Sequence, residues 1–266
     1  MAGVAGMSGV IDKQLVRRRF RRALPTYAGH AEVQRRMAAR LVAMIESAGA
    51  APPLGRVFEF GCGSAMLTSM LFERHSADVF FANDLVAESR VFVEQALAGR
   101  TIGRLEFLPG DVEPLDPLPA NLDLAVSNAT VQWLHDPARF FERLSASMMP
   151  GGLVAFSTFG AENMREIAAL GEAALPYRSI GEVAALGGAA FEVIAIEEEI
   201  VRQEFETPEA VLRHIRATGV NGVSRRAWTR SRYLDFLHRY RTAYPTGSGV
   251  ALTWHPVYCC FRRKES

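Results

Sequence analysis

The stretch Val57-Phe58-Glu59-Phe60-Gly61-Cys62-Gly63-Ser64-Ala65 restricts this chain more than any other. An apolar run enters a Gly-x-Gly turn, a helical segment follows, and a second apolar run ends in Asp84. Strand, glycine turn, helix, strand and acid is how a doubly wound sheet holds a nucleoside at the carboxyl ends of its strands. Dinucleotide enzymes extend the turn to Gly-x-Gly-x-x-Gly, whose third glycine lets the helix pack close beside a pyrophosphate. Here Met66 stands at that place. Glu59, just ahead of the turn, would repel a pyrophosphate and suits a cation. The turn therefore favours S-adenosylmethionine, which carries a sulfonium, an ammonium and no phosphate. A dinucleotide site and a chance strand–turn–helix are the alternatives.

The rest of the chain agrees with a layered α/β plan. Asp12 to Ala48 reads as helical, with Tyr27, Ala31, Gln34 and Ala38 at helical spacing, and Pro25 is expected to interrupt it after a basic arm. Strands are predicted at Arg56–Phe60, Asp78–Asn83, Leu105–Pro109, Leu122–Ser127 and Leu153–Thr158. Helices at Ser64–Arg74, Ala87–Leu97, Pro137–Met148 and Glu162–Ala174 alternate with them. Phe191–Val201 and Val250–Phe261 read as two final strands, separated by a helical, arginine-rich stretch from Pro208 to Tyr244. The expected fold is α/β: a doubly wound, mostly parallel seven-stranded sheet with an N-terminal helical cap and a helical insertion between the last two strands. The boundaries fall at 1–51 for the cap, 52–203 for the donor-binding core, 204–249 for the insertion over the strand ends and 250–266 for the final strand.

Composition excludes several classes. No run approaches the roughly 18 apolar residues that cross a bilayer, and Met1 to Val10 lacks the cationic start of a signal peptide. Cys62, Cys259 and Cys260 suit a reducing cytoplasm better than a disulfide scaffold. The net charge of +1 hides a segregation: residues 1–34 carry +4, residues 201–266 carry +7 and the middle carries −10. A basic surface built from both ends would attract an acidic macromolecule. Scattered solvated arginines are the plainer alternative. The arginines lack a stacking module for RNA, so neither a nucleic acid nor a membrane is an expected partner.

At the strand ends, Gly61 and Gly63 let backbone approach the donor without a Cβ. Asp84, with Leu85 after it, is placed to accept the ribose hydroxyls, or else to cap the helix that follows. Asp111 is placed for the adenine amino group, or is a plain turn residue, and Val112 packs on the ring. Asn128 follows the fourth strand, where the transferred methyl should point. No Asn/Asp-Pro-Pro-aromatic tetrapeptide is present there, which disfavours a nucleic-acid base amine as acceptor. Trp133 and the small Cys62 read as packing residues.

A family resemblance emerges from blocks spread over residues 17–261. Tyr27-x-x-His30-Ala31-x-Val33-Gln34, Ser127-Asn128 with Gln132-Trp133, Phe156-Ser157-Thr158-Phe159-Gly160, Val211-Leu212-Arg213-His214, Thr218-Gly219-Val220-Asn221 and Leu252-Thr253-Trp254-His255-Pro256-Val257-Tyr258 resemble the malonyl-acyl-carrier-protein O-methyltransferases of biotin synthesis. These are class I S-adenosylmethionine-dependent enzymes. The resemblance implies methylation of the free carboxylate of a malonyl thioester on acyl carrier protein, a small acidic protein, with S-adenosylhomocysteine as product and no metal. The methyl ester then enters fatty-acid elongation towards pimeloyl.

Such a carboxylate ionises near pH 4 and needs no general base, only alignment, a cationic anchor and exclusion of water. Arg213 in the inserted helix is the expected anchor and Arg216 the runner-up. Tyr27 and His30 would close over donor and substrate, with Gln132 on the acceptor side; helix packing is the alternative for Tyr27. A different small carboxylic acid or thioester as acceptor, or a non-catalytic donor-binding protein, are the competing functions. One departure stands out: Ala65 occupies a position where the family has glycine. It keeps the turn easily only at negative φ.

Overall fold

The computed structural model of the chain describes residues 11–50, 53–171, 175–218 and 229–265. Met1 to Val10, Ala174 at the end of an expected helix and the Gly219-Val220-Asn221 block lie outside them.

Two helices precede the sheet. α1 (Lys13–His30) begins where the Asp12 carboxylate accepts from the Leu15 N–H at 3.0 Å, and α2 (Glu32–Ser47) follows a break at Ala31. Pro25 lies inside α1 and does not end it, which corrects the expected division. Proline leaves the carbonyl four residues back, that of Arg21, without its helical donor. Both residues are exposed, so the interruption falls on the solvent side of the helix. The chain leaves helical geometry only at Ala31, where ψ is 53°.

The core then alternates as expected: β1 (Leu54–Phe60), α3 (Met66–Phe72), β2 (Ala77–Asp84), α4 (Ser89–Ala96), β3 (Ile102–Pro109), β4 (Leu122–Asn128), α5 (Pro137–Ser147) and β5 (Met148–Phe159). α5 starts where Asp136 caps the Arg139 N–H and Pro137 occupies a position that needs no donor. Two short helices, α6 (Arg165–Ala169) and α7 (Ile180–Ala184), lead to the last part of the chain.

The final two expected strands are each broken. The first is β6 (Phe191–Glu198) followed by β7 (Val201–Phe205); the second is β8 (Val250–Trp254) followed by β9 (Pro256–Arg263). The break at His255 is a built corner: its Nδ1 accepts from the Glu162 N–H at 3.1 Å and its Nε2 lies 2.9 Å from Glu198. β7 and β8 pair with each other, and α8 (Pro208–Ala217) and α9 (Arg230–Ala243) lie between them in sequence. The main sheet has seven strands in the order β3-β2-β1-β4-β5-β9-β6, parallel through β5, with β9 antiparallel to both neighbours.

Both faces of the sheet are covered, which is why its central strands read as continuous apolar runs. Alternate residues of β1 serve opposite layers: Val57 joins Met37, Leu41 and Leu71, whereas Phe58 and Phe60 join Phe140, Phe141 and Phe156. Glu59 shares the face of Val57, towards α3. That placement brings its carboxyl to the carboxyl end of the sheet, where β1, β2, β3 and β4 all terminate. Among the described residues no helix is long and apolar enough to cross a membrane.

Candidate active site

The strand ends form the floor of a cavity of about 970 Å³ including its mouth. Its base is a backbone lattice. Gly61 and Cys62 N–H groups donate to the Asn83 carbonyl at 2.8 and 2.9 Å, and the Gly63 N–H donates to Asp84 Oδ2 at 2.7 Å. Gly61 is indispensable sterically, because its φ is +76° and a Cβ there would meet Thr130 at 2.1 Å. Gly63, at φ +52°, has open space where its Cβ would be, so nothing intrudes on the cavity. Ala65 takes the same left-handed region at φ 59°. The turn is therefore kept against the local preference of alanine, and Ala65 is 1% exposed in the core.

The roof is α1. Val16, Phe20, Leu24 and Tyr27 line the cavity from above at helical spacing. Phe20 meets Trp133 edge-on with ring centroids 5.6 Å apart and lies 6.4 Å from Tyr27. Trp133 is thus both packing and cavity wall. The sequence led to the expectation of a helical cap closing over the site through Tyr27; that Val16, Phe20 and Leu24 share the lining with it is a tertiary result.

Of the residues anticipated from the sequence, Tyr27, Glu59, Gly61 and Gly63 line the cavity. So do Asp84, Leu85, Asp111, Val112 and Asn128. Asp84 does not cap α4, which begins at Ser89 after Glu88; its second oxygen accepts from the Val86 N–H at 2.7 Å. Asn128 lines the cavity with its side-chain amide already engaged: Nδ2 donates to the Gln34 carbonyl at 3.0 Å and Oδ1 accepts from the Ser157 hydroxyl at 2.7 Å. That amide ties the cap to the sheet.

His30, Gln132, Arg213 and Arg216 stand outside the lining. Gln132 is 8% exposed and braces the floor, donating to the Ala129 carbonyl at 2.6 Å and accepting from Thr158 at 3.1 Å. His30 is exposed at the end of α1, and Arg213 and Arg216 are exposed on α8, which packs against α1. Sequence reasoning missed Lys13, Phe20, Asn83 and Thr130 as contributors. Lys13 carried one legible signal, as one of only two lysines in an arginine-rich chain.

The electrostatics are those of a cation site. Glu59 is 1% exposed, and its Oε2 accepts from the Thr68 hydroxyl at 2.6 Å. Burial pushes its carboxyl up to about 8, with nearby Asp84 adding to the effect and the Thr68 hydroxyl opposing it. Burial likewise raises Asp84, against the Val86 and Gly63 N–H groups. Among the described residues neither acid has an ion-pair partner. Two buried carboxyls without cations, an unpartnered Ser64 hydroxyl and an open glycine cradle fit a ligand with a sulfonium and an ammonium. Burial drives the Cys62 thiol well up, so it stays protonated.

Fold and site together define a class I S-adenosylmethionine-dependent methyltransferase. A family model described as a methyltransferase domain matches residues 58–156, from β1 to β5. The N-methyltransferase NodS from Bradyrhizobium japonicum, solved with S-adenosylhomocysteine, superposes with a TM-score of 0.56 at 13% identity, over 94% of this chain and 99% of that one. A protein of Prosthecochloris aestuarii named malonyl-[acyl-carrier protein] O-methyltransferase is 48% identical over 95% of this chain and 94% of its own length. One of the same name from Chlorobium luteolum is 47% identical over 97% and 98%. The chain belongs to the malonyl-[acyl-carrier protein] O-methyltransferase family.

Proposed function

We propose that the protein methylates the free carboxylate of a malonyl group carried on acyl carrier protein, giving the methyl ester that primes pimeloyl synthesis for biotin. One observation carries this reading. The generic methyltransferase model stops at residue 156, whereas the named relatives match 95% or more of the chain and so include the roof helix and the α8–α9 region. Those are the parts that select an acceptor.

When bound, S-adenosylmethionine supplies a methyl group to the attacking carboxylate oxygen; the O–CH3 bond forms as the S–CH3 bond breaks and sulfur leaves with the electron pair as S-adenosylhomocysteine. The protein's part is placement. Glu59 and Asp84 provide negative charge for the donor's cationic and ribose ends, and Gly61 and Gly63 admit it against the backbone. Asp111 and Val112 receive the adenine end. Val16, Phe20, Leu24 and Trp133 exclude water from the reacting atoms. The acceptor is already ionised, so no side chain has to remove a proton. Burial, with the Asp84 charge, raises the Tyr27 phenol, which therefore remains a hydrogen-bond donor to the acceptor carboxylate.

Arg213 and Arg216, exposed on α8, and Arg17, Arg18 and Arg22, exposed on α1, are assigned to carrier docking. The two helices are neighbours, and the carrier is acidic. This moves Arg213 from the expected carboxylate anchor to the approach surface.

The test is methyl transfer from labelled S-adenosylmethionine to malonyl-acyl carrier protein, beside malonyl-coenzyme A and free malonate, at low and high salt. Preference for the carrier that weakens with salt supports both acceptor and docking surface. Equal transfer to free malonate would replace the carrier by a small acid, and no transfer with donor binding intact would leave a donor-binding protein.

A further inference from the structure

α1 opens with a residue that its own helix disfavours. The N-terminus of a helix carries partial positive charge and prefers an acid in its first turn. α1 has none there; its first residue is Lys13. A local choice that contradicts the helix marks a position decided by something outside it. Two carboxylates answer: Lys13 Nζ lies 2.7 Å from Asp111 Oδ1 and 2.6 Å from Glu113 Oε2. The three side chains are 15%, 25% and 16% exposed, so solvent screens these pairs less than it would a surface bridge.

The carboxylates are themselves held. Glu113 accepts the His135 N–H at 2.9 Å and the Asp136 N–H at 2.8 Å, and Asp111 accepts the Glu113 N–H at 3.2 Å. His135 Nε2 also donates to the Ile11 carbonyl at 2.8 Å, just before α1. Burial opposes ionisation of Glu113, yet these N–H groups and Lys13 outweigh it and hold the carboxyl below its usual range. The start of the roof helix is therefore joined to the loop after β3, the loop that receives the adenine end. Lys13 and Asp111 both line the donor cavity.

We propose that Lys13 is a positioning residue for the donor site: its paired contacts orient the Asp111 carboxylate and fasten the first turn of α1 over the cavity, so that Lys13 sets donor affinity and product residence. This rests on the S-adenosylmethionine reading of the cavity. α1 covers the cavity with Val16, Phe20, Leu24 and Tyr27, so lifting its first turns would widen the way in and out for donor and product. Lifting the start of α1 would break the Lys13 pairs, which are more buried than the Arg21–Glu88 pair further along the helix.

The experiment measures binding alone, with no acceptor protein, which keeps carrier docking out of the readout. Titration calorimetry gives the S-adenosylmethionine Kd, and stopped-flow gives the S-adenosylhomocysteine dissociation rate, for the wild type, Lys13→Met, Lys13→Arg, Glu113→Gln and the Lys13→Met/Glu113→Gln double variant. In Lys13→Met the donor Kd and the product dissociation rate should each rise on the order of tenfold, matching the loss of one charged hydrogen bond. Lys13→Arg should recover most of it. The double variant should lose less than the product of the single losses, and raising salt should weaken donor binding by the wild type more than by Lys13→Met. Lys13→Met within twofold of wild type in both constants, or strictly independent losses in the double variant, would overturn the assignment while leaving the donor reading in place. Failure of the wild type to bind S-adenosylmethionine would overturn both.

Discussion

The floor and the roof of the donor cavity are built on opposite principles. The floor is mostly backbone: the Gly61 and Cys62 N–H groups donate to the Asn83 carbonyl, and the Gly63 N–H donates to the Asp84 carboxylate, which ties the ends of β1 and β2 together. The roof is one helix with a proline inside it, seated by a patch of apolar side chains and fastened at its start by Lys13. A hydrogen-bonded floor supplies geometry, and an apolar helix over it supplies dryness. An enzyme that must take in a cationic donor and release a bulky product every cycle needs both, in different places.

Gly61→Ala attacks the floor and should have the largest effect. The new Cβ would overlap Thr130 at a φ that alanine resists, costing about 1–3 kcal/mol of stability and donor binding beyond detection by calorimetry. Adding Thr130→Ala should recover part of the stability, because it removes the Oγ1 and Cγ2 contacts at 2.1 and 2.6 Å and leaves the Cβ contact at 2.8 Å and the backbone strain.

Glu59→Gln sharpens the floor's electrostatics. Glu59 has a folded-state value of about 8, above the usual carboxyl range. The ligand-free folded state therefore holds a proton that the unfolded chain has lost, so stability is fully present below pH 4.5 and declines as pH rises from there through about 8. Thermal unfolding of the wild type should show this fall, and Glu59→Gln should flatten it. Donor affinity has the opposite sign, because a cation favours the ionised carboxyl: it should rise between pH 6 and about 8 in the wild type and be weak at every pH in Glu59→Gln.

Tyr27→Phe tests whether the roof contributes more than cover. Turnover should drop about tenfold with donor Kd within a factor of about three, the pattern of an interaction made in the transition state. Full turnover would reduce Tyr27 to packing. Arg213→Ala lies outside the cavity altogether; it should raise KM for the malonyl carrier about threefold at low salt with kcat unchanged. A fall in kcat instead would restore Arg213 as the carboxylate anchor.

The smallest effect returns to the floor. Ala65→Gly should relieve the left-handed strain and raise stability by about 0.5–1 kcal/mol, a shift of a few degrees in Tm. A lower Tm would mean that the packing of the buried Ala65 methyl outweighs its backbone strain.

Much of this was legible in the chain because it is local. Glycines at the turn, an acid at the end of β2 and apolar runs of strand length act through their own backbone, so β1 to β5 and the residues at their carboxyl ends could be placed from their order alone. Corners were not legible. Phe191–Val201 carries Glu197-Glu198-Glu199 and Val250–Phe261 carries His255-Pro256, but the corner there is closed by groups distant in sequence, the Glu162 N–H and the Glu198 carboxylate, which both meet the His255 ring. Pro25 misled in the other direction, since a helix whose proline faces solvent loses only a carbonyl partner that the packed side does not need.

The sequence by itself determined the sheet, the glycine turn at the end of β1, and the family. Tertiary structure alone decided that Val16, Phe20 and Leu24 are the α1 residues that join Tyr27 in lining the cavity, that Lys13 answers acids 98 and 100 residues away, and that Arg213 faces solvent on α8. The reason is range: a turn or a strand is specified by neighbours along the chain, whereas a lid is specified by surfaces that exist only once the chain has come together.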